Sequence, residues 1–194
     1  AGVAALAALG PAEAAAAQPA PDTPETPFVH PANLPVPGEP LRINGYTSET
    51  LDWKAWLPVV DPATASAEQI AVLDASHPKA RQSDFYLLLA HQPRVLAERS
   101  EAFNAIMYAP GGLPRLEREL ATAVVSRING CVYCASVHAQ RFEQLAKRND
   151  VIAQVFIDPD HARTNARERA IVRASAALTR APGSFGPQDL TALR

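Results

Sequence analysis

Long apolar runs, basic clusters and a stock of cysteines are all missing from this chain, and each absence removes a class of protein. The longest apolar stretch near the start, Ala1 to Ala8, is dominated by alanine, has no basic flank and falls far short of the ~20 residues a membrane span requires. The expectation is a soluble, cytoplasmic protein. No Lys/Arg-rich run stands out, and 18 basic against 20 acidic residues leave a formal net charge of −2, so nothing points to nucleic acid or an anionic membrane surface. Two cysteines are too few for a disulfide-stapled secreted scaffold, and only three positions apart they would close a very small loop. An initiator Met is missing as well, so the expectation includes a processed chain or a piece of something longer.

What is present suits one folded domain with extra length: 194 residues, of which 47% are hydrophobic. Residues 1–45 are rich in Ala and Pro and show neither a helical nor a strand period, so they read as an arm or linker. A helical domain is expected over 46–194. From Thr47 onward the signals are helical, with no sustained alternation that would argue for a sheet, and the fold class is all-α.

Ser66-Ala-Glu-Gln69 has the form of a capping box and opens a helix through Ala75, stopped by His77-Pro78. Ser83 is placed to cap a short helix through Ala90. Pro93 suits the first turn of the next, with Leu96, Ser100, Phe103 and Met107 near one face and an end forced by Pro110-Gly111-Gly112. Pro114 begins another helix, where Leu116, Leu120, Val124 and Ile128 form an apolar stripe before the Asn129-Gly130 stop. Further helices are expected from Cys131 to about Lys147, from Asp150 to Phe156 and from Thr164 to Arg180.

The chemistry gathers at the start of the Cys131 helix. At ~100° per residue, Cys134, His138, Phe142 and Leu145 all fall within ~60° of Cys131, and since Phe142 and Leu145 should face the core, the sulfurs and the imidazole are expected to point inward. Unpaired N–H groups and the positive end of the helix dipole favour a thiolate at Cys131. A thiolate there attacks a peroxide oxygen or a disulfide, and the neighbouring thiol resolves the product. Glu119, on the preceding helix, comes toward His138 if the two helices form a hairpin, as orienter or proton relay.

Blander readings compete. Free cysteine is among the most buried residue types, a lone His is more often a core or boundary residue, and Glu119 is by default solvated. Zinc sites usually pair two C-x-x-C units or add H-x₃₋₅-H; a site of Cys131, Cys134, His138 and Glu119 stays open but is geometrically awkward. Attachment of c-type haem needs His directly after the second Cys, and Ala135 stands there. His30, His77, His91 and His161 read as caps, turns or surface, and the Trp53 and Trp56 pair as packing.

The run Glu119-Leu-Ala-Thr-Ala-Val-Val-Ser-Arg-Ile-Asn-Gly-Cys131-Val-Tyr-Cys134-Ala-Ser-Val-His138 resembles the signature of the carboxymuconolactone decarboxylase and alkylhydroperoxidase D superfamily, over about Phe85 to Arg180. The resemblance implies an all-α fold assembling into trimers or hexamers, without metal or organic cofactor. It implies Cys134 as the peroxidatic thiolate, Cys131 as the resolving and more exposed thiol, and Glu119 with His138 as proton relay; the dipole argument alone favours Cys131 as attacker. A small peroxide is the implied substrate and a dithiol or thiol-protein the implied reductant. The founding pattern has a second His where this chain has Tyr133, an accessory candidate that titrates near pH ~10 and does not shuttle protons at neutrality. The decarboxylase branch leaves the redox pair without a purpose. Family members generally continue with another helix, so the chain is expected to stop early. Three readings follow: a thiol peroxidase, a disulfide-exchange protein without peroxide activity, and a non-catalytic helical assembly or metal-binding module.

Overall fold

The computed structural model describes residues 34–36 and 38–194. His30 and most of the Pro-rich arm lie outside the described residues. Where the arm enters the described region, Arg42–Ile43 (β1) and Tyr46–Thr47 (β2) pair antiparallel, Arg42 opposite Thr47 and Ile43 opposite Tyr46. This hairpin is shorter than a sustained alternation could register. The signal was Asn44-Gly45: a two-residue hairpin loop matching the twist of its strands needs positive φ at both positions, and here φ is 51° and 80°. Strands of two residues are too short to show an alternating period.

Eight helices follow among the described residues: α1 Ala67–Ser76, α2 Asp84–Leu89, α3 Pro93–Met107, α4 Arg115–Ile128, α5 Val132–Ala146, α6 Asp150–Ile157, α7 Ala166–Arg180 and α8 Pro187–Ala192. The all-α expectation holds, with the small hairpin as its one exception among the described residues. Local chemistry explains most boundaries. Ser66 and Gln69 close a reciprocal capping box on α1, and Asn165 with Glu168 does the same on α7, two residues later than expected from Thr164. Ser83 does precede α2, but its side chain makes no capping bond. Gly130, at φ 73°, turns the chain between α4 and α5, a conformation that costs an L side chain strain.

Two apolar clusters organise these elements. In the first, α4 packs on α5 and α7, and α6 lies among them with Val151 through Phe156 all buried, so that helix has almost no polar face. Phe142, Leu120, Val124 and Ile171 fill the same cluster, joined by Leu41 and Tyr46 from the hairpin region. In the second, Leu73 of α1, Leu87 of α2 and Leu96 of α3 are buried together. Residues 50–51 tie the stretch after the hairpin to α5: the Leu51 N–H donates to Ser136 Oγ (3.1 Å), and Thr50 Oγ1 to Gln140 Oε1 (2.9 Å).

Two apolar side chains depart from expectation. Leu145 is 46% exposed, and Trp56 is fully exposed while Trp53 packs edge-on against Phe85. The buried residues of α5 are Ala135, Ser136, Ala139, Phe142 and Glu143, an arc centred ~80° round from Cys131, which leaves Leu145 beyond its margin. The Trp pair is not helical at all, so its spacing carries no shared face.

Candidate functional site

α4 and α5 form an antiparallel helical hairpin, and that hairpin brings Glu119 to His138. Glu119 Oε2 lies 2.6 Å from His138 Nδ1. The carboxylate is 1% exposed and the imidazole 12%, so the pair sits behind the surface rather than in solvent. The default reading of Glu119 as a solvated helix residue is therefore corrected: the stripe Leu116, Leu120 and Val124 turns α4 onto α5, and Glu119, ~60° from Leu116, is carried under with it.

Burial pushes the Glu119 carboxyl up, but hydrogen bonds from His138 and Arg115 outweigh it and hold the group below its usual value. An ionised carboxylate only accepts, so His138 donates from Nδ1 and Nε2 is the nitrogen left for proton exchange.

Cys131 and Cys134 are joined as a disulfide, Cα to Cα 5.4 Å. Cys131 is the N-cap of α5 rather than its first helical residue, and its Sγ accepts the Cys134 N–H at 3.3 Å. This contact is what a thiolate at a helix start would receive. Both cysteines and His138 lie at the edge of the buried arc, neither fully inside nor fully exposed, which corrects the expectation that they point to the core.

Tyr133, between the cysteines, is partly buried, and burial, with the nearby Tyr86 and Asp52, raises its hydroxyl further above neutrality. The remaining histidines serve locally. His77 stacks on Tyr86 with its Nδ1 accepting the Lys79 N–H, His91 Nε2 lies 2.9 Å from the Pro58 carbonyl, and His161 Nδ1 lies 2.7 Å from Asp158 Oδ2.

Two residues were missed in the sequence. Arg115 donates through Nε to Glu119 Oε1 at 2.7 Å and through Nη2 to the same oxygen. Its signal was the i, i+4 spacing to Glu119 on a helix. Glu143 is 8% exposed with Oε1 unpartnered, and burial raises its carboxyl to about 7 against a weaker opposing interaction with Ser48. Nothing in its neighbourhood along the chain announces that.

Among the described residues, no group of three or more His, Cys, Asp and Glu side chains is placed to hold a metal ion, and no helix is long and apolar enough to cross a membrane.

Residues 93–181 match the carboxymuconolactone decarboxylase family. The match takes in α3 to α7 and all four signature residues. Among solved structures, the chain is similar to an alkylhydroperoxidase AhpD core, an uncharacterized peroxidase-related protein from Ralstonia eutropha JMP134, with 26% identity over 71% of this chain and 73% of that one and a TM-score of 0.61. It is also similar to an uncharacterized peroxidase-related protein from Silicibacter sp. TM1040, with 26% identity over 72% and 73% and a TM-score of 0.59. No curated protein matches. The resemblance read from the signature is thus supported by a family match over residues 93–181 and by the fold shared with these structures.

Proposed function

We propose that the chain is a thiol-dependent peroxidase that reduces hydrogen or alkyl peroxide through Cys131 and Cys134. The observation that carries this reading is the 2.6 Å contact of a buried, ionised Glu119 with His138, on the helix that also bears the cysteine pair. In the reduced protein, His138 Nε2 takes the proton of the attacking thiol. Cys134 is that thiol, following the family resemblance. Its sulfur attacks one peroxide oxygen, the O–O bond breaks, and the departing alkoxide or hydroxide leaves as alcohol or water with the proton from His138.

Cys134 is then a sulfenic acid. The Cys131 sulfur attacks it, water leaves, and the disulfide forms. A dithiol partner reduces that disulfide by exchange and is itself oxidised, so two electrons pass from partner to peroxide per cycle. Such a donor suits the reducing cytoplasm. Assembly into a trimer or hexamer belongs to the same reading.

Peroxide consumption with a dithiol reductant, measured for the wild type and Cys134→Ser, tests it. Turnover that disappears in the variant supports the reading; equal rates in the two overturn it. A protein that turns over disulfides but never peroxide is instead an exchange protein.

A further inference from the structure

Glu119 divides its two oxygens between two partners. Oε2 meets His138, while Oε1 receives both Nε and Nη2 of Arg115, one helical turn earlier on α4. The guanidinium in turn lies over the Tyr108 ring, 4.0 Å from its centroid. Arg115 is 26% exposed and borders a cavity of about 400 Å³ that also touches Tyr108, Gly111 and Arg118, whereas the carboxylate it holds is 1% exposed. So a partly solvated cation reaches inward to a buried anion.

That arrangement has consequences for the proton on His138. A carboxylate at this depth is unfavourable without a partner, and a neutral imidazole is a weaker partner than a fixed cation. Arginine keeps its charge at any pH a protein survives, so it opposes protonation of Glu119 throughout. Its fork occupies Oε1 from one side, which stops the carboxylate from rotating and leaves Oε2 alone to meet Nδ1. The Tyr108 ring holds the guanidinium plane in place. The groups that face Glu119 are Arg115 from its own helix and His138 from α5, and both lower its proton affinity against burial.

The geometry points to Arg115, braced by Tyr108, as the positioning residue of the relay: it keeps Glu119 ionised and aimed, so that His138 holds its proton on Nδ1 and exchanges with the thiol through Nε2. This rests on reading Cys131, Cys134, Glu119 and His138 as one thiol relay, but not on peroxide being the substrate.

Two measurements on the reduced protein test it, neither using peroxide. The first is the rate of cysteine alkylation by iodoacetamide as a function of pH for the wild type, Arg115→Met, Arg115→Lys and Tyr108→Leu, with thermal melts by circular dichroism to show that each is folded. In Arg115→Met the acid limb of the profile moves to higher pH by about one unit, because Glu119 gains the proton that the cation excluded. Arg115→Lys restores most of that shift, and Tyr108→Leu moves the limb the same way by less. A folded Arg115→Met whose profile overlays the wild type overturns the proposal.

The second needs no variant: ¹⁵N NMR of the His138 ring in the wild type shows the neutral ring carrying its proton on Nδ1 rather than Nε2. The opposite tautomer overturns the proposal even if Arg115→Met fails to fold. A wild type inert toward peroxide, with the shifted profile present, removes the peroxidase reading and leaves this one standing.

Discussion

Glu119 Oε2 and His138 Nδ1 stand 2.6 Å apart although nineteen residues separate them in sequence. The turn at Asn129-Gly130 folds α5 back along α4, and the apolar stripe of α4 fixes the rotation that puts the carboxylate on the facing side. Glu119→Gln keeps the shape of this contact and removes its charge. The alkylation rate of the reduced cysteines and peroxide turnover should both fall by roughly 10²-fold, the lower end of what positioned acid–base groups contribute. Stopped-flow kinetics at neutral pH measures this, and a rate within threefold of wild type, well below roughly 10²-fold, refutes a relay role for the carboxylate.

Tyr133 stands where the founding family pattern has histidine, and its hydroxyl is raised further above neutrality by burial, with Tyr86 and Asp52 adding to it. It stays protonated at pH 7 and cannot alternate as a base. Tyr133→His introduces a side chain that titrates near neutrality, and peroxide turnover at pH 7 is expected to rise by roughly tenfold. Steady-state assays of the two proteins side by side decide it; an unchanged or lower rate counts against this position as a proton carrier.

Glu143 is a buried carboxyl with an unpartnered oxygen, raised from 4.5 to about 7 by burial. Between those two values the folded protein binds more protons than the unfolded chain, so this group's contribution to stability declines as pH rises through the window and is least favourable above about 7. Glu143→Gln removes the charge. It should gain on the wild type by on the order of 2–3 kcal/mol between acid and mildly alkaline conditions. Urea unfolding of both proteins at pH values below and above that window reads the difference directly. A gap between the two curves that does not change with pH would show that Glu143 is not titrating there.

Phe156 joins α6 to the hairpin. Its ring lies 5.4 Å from that of Tyr46, and its carbonyl accepts from Arg127 Nε at 3.1 Å and from Asn44 Nδ2 at 3.3 Å. Phe156→Ala leaves those main-chain bonds available and empties a fully buried volume, with an expected cost of about 3–5 kcal/mol. Denaturant titration measures the loss, and a cost under about 1 kcal/mol would mean that the hairpin and α6 close over the gap.

The helices were largely legible in the sequence because their signals are local. Ser66 with Gln69, Pro93, and Asn129-Gly130 mark ends through caps and forbidden conformations that depend on neighbours a few residues away. The Asn44-Gly45 hairpin was equally local and was overlooked, since strands of two residues carry no period. The resemblance was legible too: Glu119, Cys131, Cys134 and His138 occupy signature spacings, and residues 93–181 match the family those spacings resemble.

What the chain could not state on its own was depth and partnership. Helical angle placed Cys134, His138 and Leu145 on the face of Phe142, yet only packing decides where the buried arc of α5 is centred, and it lies to one side of them. Glu119 and Glu143 look alike in sequence, two acidic residues on amphipathic helices. Tertiary structure buries both, then gives one a histidine and an arginine that keep it ionised and leaves the other with an unpartnered oxygen that favours its proton. The difference is electrostatic and long-range. A carboxyl's proton affinity depends on which charges and dipoles surround it in space, and only the fold assembles those.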